Sequence, residues 1–286
     1  MTSTNRVSIN NKIDFAVIIS VCNANPNGDP LNGNRPRQTY EGFGEISDVC
    51  IKRKVRNRLQ DMGESIFVQS DDNRIDDFRS LGERFDAAEL GDTSDEQRVN
   101  SCSKWFDVRA FGQVFAFPKR AKVDAVSIGI RGPVTIQSAF SVDSIVPNSM
   151  QIVKSVNLLP EDPPEKKGPD TMGMKHRVSK GIYVTFGAIN TQLAQKTIFS
   201  HDDANKIKAA LRSLFVNDGS SARPEGSMEV KKVIWWEHNS SSGQYSSARV
   251  HRSLNVKNDG TYTLDPLPGL EPEELDELVG AELKQG

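Results

Sequence analysis

Three cysteines in 286 residues, Cys22, Cys50 and Cys102, are too few and too widely spaced for a disulfide framework or a zinc site. They read as small buried hydrophobes in a reducing cytoplasm. Histidine is almost as scarce: His176, His201, His238 and His251 never fall at ligand spacing to a cysteine or to each other. No resident metal is expected. No apolar run approaches a membrane span, and the opening MTSTNRVSINNK has no apolar stretch of the kind that marks a secretory signal. Gly28 and Gly33 give G-x-x-x-x-G, but Asn34-Arg35 stands where a phosphate-binding loop needs Lys and then Ser or Thr. Nucleotide hydrolysis is excluded on that ground, and no cofactor is expected. Hydrophobic content is 36%, low for a compact globule yet above that of a disordered chain. One large domain with long polar excursions fits that figure.

Net charge is only −2, but the charges are segregated. Ten acids face three arginines between Asp71 and Glu96, and seven acids face one lysine from Asp265 onward. Basic residues gather in Arg35–Arg58, Lys104–Lys122 and Lys166–Lys180. This pattern suits a chain with one face on a polyanion and another left acidic. Solvated faces without a partner are the bland alternative.

Ile13, Phe15, Val17, Ile19 and Val21 alternate with Ala16 and Ile18 on the other face, the pattern of a central strand covered on both sides. The turn-forming loop NPNGDPLNGNRPR, Asn25 to Arg37, follows at once. Ser47 is positioned as an N-cap for a helix to about Met62, with Ile51, Val55, Leu59 and Met62 on one stripe. Lys52, Arg53 and Arg56 point away from that stripe, and only Glu45 and Asp48 balance them locally. Residues 63–100 are polar, acidic and weakly periodic, so they read as an insertion. A strand recurs from Val134 to Val142. Pro147 to Lys180 carries too many breakers for a regular core element and reads as a protruding arm or hairpin. Ile182 to Ala188 resumes a strand, Ser200 caps a helix striped by Ala204, Ile207, Leu211 and Leu214, and Met228 to Trp236 is a further strand. One short helix is expected in the acidic tail, in EPEELDELVG. Strand, helix, strand, strand, helix, strand is close to a βαββαβ ferredoxin-like unit, the α+β scaffold of RNA-recognition modules.

A flexible Asn/Gly loop beside a basic helix suits phosphate backbones; a turn cluster without function is the alternative. His176, among Lys175, Arg177 and Lys180 on the arm, is read as an RNA contact ahead of a general base. The aromatics of Trp105-Phe106-Asp107-Val108-Arg109-Ala110-Phe111-Gly112 are read as core packing, with base stacking the sharper alternative.

In order along the chain, NPNGDPLNGNRPR, SDVCIKRKVRN, WFDVRAFGQVF and TMGMKHRV before GIYVTFGAIN resemble the backbone subunit of the CRISPR-associated Cascade complex. This is the Cas seven-type family, and the subtype I-C members resemble the chain most. The resemblance spans about Ile13 to Trp236. It implies an RNA-recognition-like palm with an inserted fingers region and a thumb hairpin. The palm would occupy 1–62, 126–150 and 182–286, the last with the acidic tail; the fingers 63–125; the thumb arm 151–181. It further implies a non-catalytic subunit whose identical copies stack as a helical filament along the CRISPR guide RNA. Together with other Cascade subunits, that filament presents the guide to target DNA. Residues expected to contact the guide are Asn25, Asn27, Arg35, Arg37, Lys52, Arg53, Arg56, Arg109, Met172, Lys175 and His176. The alternative is an endoribonuclease acting on CRISPR precursor RNA, with His176 and Asp107 as the residues to test.

Overall fold

The computed structural model describes residues 7–117, 126–153, 155 and 172–278. Most of the arm's sequence, 156–171, and the Lys119–Lys122 end of one basic run lie outside the described residues. In chain order the elements are β1 (Ile13–Ala24), the short ladder β2 (Gly28–Asp29) and β3 (Arg35–Pro36), β4 (Phe43–Ile46) and α1 (Asp48–Asp61). Then come α2 (Leu81–Asp86), α3 (Ser94–Lys104), α4 (Phe106–Phe111), the hairpin β5 (Gly112–Phe117) and β6 (Val126–Arg131), β7 (Val134–Ile136), β8 (Ala139–Ser144) and β9 (Pro147–Val153). The chain continues with β10 (Met172–Ile189), α5 (Thr191–Thr197), α6 (His201–Arg212) and β11 (Met228–Glu237). It closes with α7 (Ser247–Arg252), β12 (Leu254–Val256), β13 (Tyr262–Leu264) and β14 (Glu273–Leu275).

The main sheet runs β14-β11-β1-β10-β8-β4, with β7 and β9 also pairing along β10. All of its pairings are antiparallel. The expected period-two pattern explains why β1 sits in the middle: it has an apolar side chain for each face. Phe15, Val17, Ile19 and Val21 enter one core with Ile51, Val55 and Leu59 of α1 and Ala204, Ile207 and Leu211 of α6. Ala16 enters another, with Ile234, Trp236, Val250, Leu254, Leu267 and Leu270 from the C-terminal segment. Fully burying one such aliphatic or aromatic side chain contributes about 1.5–3 kcal/mol.

Both long helices start where the capping residues placed them. Ser47 Oγ accepts from Cys50 N at the start of α1, and Ser200 forms a reciprocal capping box with Asp203 at the start of α6. Leu214 lies just beyond α6 and is buried with its stripe.

Three elements differ from the sequence reading. Residues 63–131 hold a core of their own, built from Phe67, Phe85, Leu90, Cys102, Trp105, Val108, Phe115, Ile128 and Ile130. Most of its acids lie at the surface, Asp107 excepted, while its apolar residues are scattered singly, so periodicity does not reveal them. The arm's base is regular sheet: β10 starts at Met172 and pairs with β9 from Met172↔Val153 to Val178↔Pro147. The short helix expected near the C-terminus is instead the strand β14, paired to β11 through Val233↔Leu275 and Trp235↔Glu273. Its acidity serves that docking, because Lys208 meets Glu273 at 2.8 Å and Lys232 meets Asp276 at 2.6 Å.

Candidate nucleic-acid interface

β1 ends beside the base of the β9–β10 hairpin, because Ala24 pairs with Val178. The Asn25–Arg37 loop therefore starts alongside His176 and Arg177. Its shape comes from its own side chains. Asp29 accepts from Leu31 N, and Gly33 and Asn34 take left-handed backbone at φ 58° and 59°. Asn25 is buried and donates from Nδ2 to Asn34 O at 2.7 Å. Asn27 Oδ1 accepts from both the amide and the hydroxyl of Ser47, at 2.9 and 2.7 Å, tying the loop to the α1 N-terminus. These two asparagines are braces. The cations they hold out differ: Arg35 is exposed and has no acidic partner among the described residues. Arg37 is half-buried, 3.7 Å from Asp29, with its Nε left without a partner.

The hairpin adds a second set. Strand alternation puts Met172, Met174 and His176 on one face with their cross-strand partners Val153, Gln151 and Ser149. Lys175 and Arg177 share the other face with Met150 and Asn148. Met172 is 63% exposed and Met174 55%, and His176 Nδ1 lies 2.8 Å from Ser149 Oγ. Arg177 is half-buried with a partnerless Nε, the same signature as Arg37. In the sequence Arg177 is only a neighbour of His176, and nothing local shows that its Nε is left without a partner. Lys175, Arg177 and Lys180 have no acidic partner among the described residues.

The basic helix is otherwise arranged than expected. Four of its five cations meet carboxylates, two of them from remote segments, so the expectation that little balances them is overturned. Lys54 pairs with Asp218 and is buried. Arg58 pairs with Asp61 at 2.6 Å. Arg56 Nε donates to Asp107 at 2.9 Å and stacks on Phe111. Lys52 meets Asp48 at 2.9 Å and keeps a side chain 25% exposed. Arg53 donates to Val68 O at 2.7 Å. Burial, then the Arg56 charge, lowers the Arg53 pKa, while Asp107 opposes the change. Burial likewise lowers the Lys54 pKa against the pull of Asp218.

Arg109 is a core residue rather than a surface contact. It is 2% exposed, reaches both carboxylate oxygens of Asp203 at 3.0 and 2.8 Å, and donates to Cys102 O. Asp107 is 1% exposed and accepts from Phe67 N, Val68 N and Arg56, which leaves no lone pair facing solvent for acid–base work. Trp105 packs against Phe67 at 4.5 Å between ring centroids, so the aromatic run is core, not a base-stacking platform.

Among the described residues no group of three or more His, Cys, Asp or Glu could hold a metal ion. No described helix is long and apolar enough to cross a membrane. The fold is similar to chains of a CRISPR RNA-guided surveillance complex in a pre-nicking state (TM-score 0.47, 16% identity, covering 79% of this chain and 75% of that one). It is also similar to a second CRISPR RNA-guided surveillance complex (TM-score 0.43, 15% identity, 87% and 77% covered). A curated relative from Haloferax volcanii, the CRISPR-associated protein Cas7, is 24% identical over 273 residues, covering 89% of this chain and 78% of the relative. The family model described as CRISPR-associated protein Cas7 matches residues 11–270. The chain belongs to that family.

Proposed function

We propose that this chain is a non-catalytic, guide-RNA-binding backbone subunit of a type I-C Cascade complex. It works in the cytoplasm, polymerises with identical copies along the CRISPR RNA, and joins other Cascade subunits to present the guide to target DNA. Family membership supports the general reading. The strand order β11-β1-β10-β8, with α1 and α6 packed on the same core, supports a ferredoxin-like palm. The separate core of residues 63–131 supports an inserted fingers region, extended to the end of β6. The β9–β10 hairpin supports a thumb rooted in the palm sheet.

The observation that carries the RNA reading is the unpaired cationic group where the Asn25–Arg37 loop meets the hairpin. Arg35, Lys175, Arg177 and Lys180 lack acidic partners among the described residues, whereas α1 is largely neutralised by its own acids. Guide contacts in this reading fall on Arg35, Arg37, Lys175, Arg177 and His176, with Met172 against the bases. Lys52 and Arg53 add partial contacts. Asn25, Asn27, Arg56 and Arg109 act through the fold. Phosphate contacts of this kind position the strand without reading its sequence.

The test is guide-RNA binding by Arg35→Ala, Lys175→Ala and Arg177→Ala, each alone. Each should weaken affinity and flatten the salt dependence by about one unit of log–log slope. Unchanged slopes in all three would remove the basis for the reading. Incubation with precursor RNA tests the absence of catalysis: intact RNA is expected, and cleavage lost in His176→Ala would contradict it.

A further inference from the structure

His238 follows β11 and is fully buried against Asp14 of β1. Its ring is clamped from two sides. Nε2 lies 2.8 Å from Asp14 Oδ2, and Nδ1 accepts the backbone N–H of Gln244 at 3.0 Å. A carboxylate only accepts and an amide N–H only donates, so the ring must carry its proton on Nε2 and none on Nδ1. The geometry has room for the neutral imidazole alone: a second proton would set Nδ1–H against the Gln244 N–H.

The groups facing this ring are few. Lys12 Nζ reaches Asp14 Oδ2 at 2.9 Å and Tyr245 O at 3.3 Å. From α7, His251 Nε2 lies 3.6 Å from Asp14 Oδ1 and 3.2 Å from Gly187 O of β10, and its ring stacks on Phe186 of the same strand, which brings no titratable group. Glu237, next in the chain, turns to the helix face and meets His201 at 3.4 Å. Gly243 has φ 82°, and a Cβ there would stand 3.0 Å from Nδ1, so the loop lies directly on the ring. Behind it, Val250, Leu254, Leu267 and Leu270 cover Ala16, Ile234 and Trp236.

We propose that His238 is an acid-sensitive latch: protonation at Nδ1 expels the Gln244 amide and releases the 239–246 loop, loosening the C-terminal layer from the sheet. This stands apart from the RNA reading. The nearby Asp14 carboxylate draws the proton in, while the donor–donor clash makes the latched state incompatible with it.

The test is hydrogen exchange on the full chain from about pH 7.5 to about pH 5, corrected for intrinsic exchange, in wild type, His238→Gln and His251→Gln. A glutamine at 238 can donate to Asp14 and accept from Gln244 but has no proton to gain. Wild type and His251→Gln should lose protection across residues 239–252 on acidification, while His238→Gln keeps it. Equal loss in all three, loss suppressed only by His251→Gln, or no loss in wild type would overturn the latch. Should His238→Gln fail to fold, the ¹⁵N resonances of the wild-type ring decide. Nδ1 protonation in the same step as loop opening supports the latch, and separate steps overturn it.

Discussion

Arg109 and Asp203 meet with both side chains almost wholly excluded from water, so each is safe only in the presence of the other. Removing one partner of a buried pair typically costs about 3–5 kcal/mol, because the survivor is left charged and desolvated. Arg109→Met should therefore lower the unfolding free energy measured in urea by about 3–5 kcal/mol while leaving guide affinity of the folded fraction unchanged; a loss of affinity without a loss of stability would restore Arg109 to the interface. Asp14 carries a pH dependence of definite sign. Burial alone would raise its pKa, yet His238, His251, Ser247 and Lys12 around it hold the carboxyl well below the usual range. Its contribution is present above the unfolded carboxylate value near pH 4 and is lost as pH falls through the depressed folded value. Asp14→Asn should be less stable than wild type at neutral pH, with the gap narrowing in strong acid. A constant gap from pH 7 to pH 2, measured by denaturant unfolding, would contradict this. None of these pairings was legible in the sequence. Arg56 finds Asp107 51 residues away, Arg109 finds Asp203 94 away and Lys54 finds Asp218 164 away. Counting charges in a local window treats such cations as unmatched when the fold has already matched them.

Helix α1 and strand β1 were readable because each must satisfy two sides at once. An apolar stripe at 3.6-residue spacing and a doubly apolar run at period two have few other solutions. The N-cap at Ser47 does double service, since Asn27 also holds its amide and hydroxyl. Ser47→Ala should cost about 1–2 kcal/mol in thermal unfolding and should also loosen the Asn25–Arg37 loop. An unchanged melting temperature would mean that the brace contributes nothing. The regular pairing of β9 with β10 was hidden for the opposite reason. Both of its faces are exposed, with Ile152, Val153, Met172 and Met174 all open to solvent, so no inside–outside alternation marks it. The strand β14 is three residues long and acidic, and it is identifiable only through the lysines of α6 and β11 that it meets.

At the scale of the whole molecule, a net charge of −2 conceals a division of labour. Acids on the tail and on the far segments neutralise internal cations or dock strands, and four cations without an acidic partner among the described residues, Arg35, Lys175, Arg177 and Lys180, lie where the first strand, its loop and the hairpin base meet. β1, α1, α6 and β11 were legible in the sequence because they are long and periodic; the core of residues 63–131 was not, because its apolar residues come from separated turns, short helices and a hairpin. Guide-RNA binding of the triple variant Arg35→Ala/Lys175→Ala/Arg177→Ala, titrated against salt beside wild type, tests the central claim most directly. The account predicts lower affinity and a log–log slope smaller by about three. A triple variant with wild-type affinity and slope would contradict it.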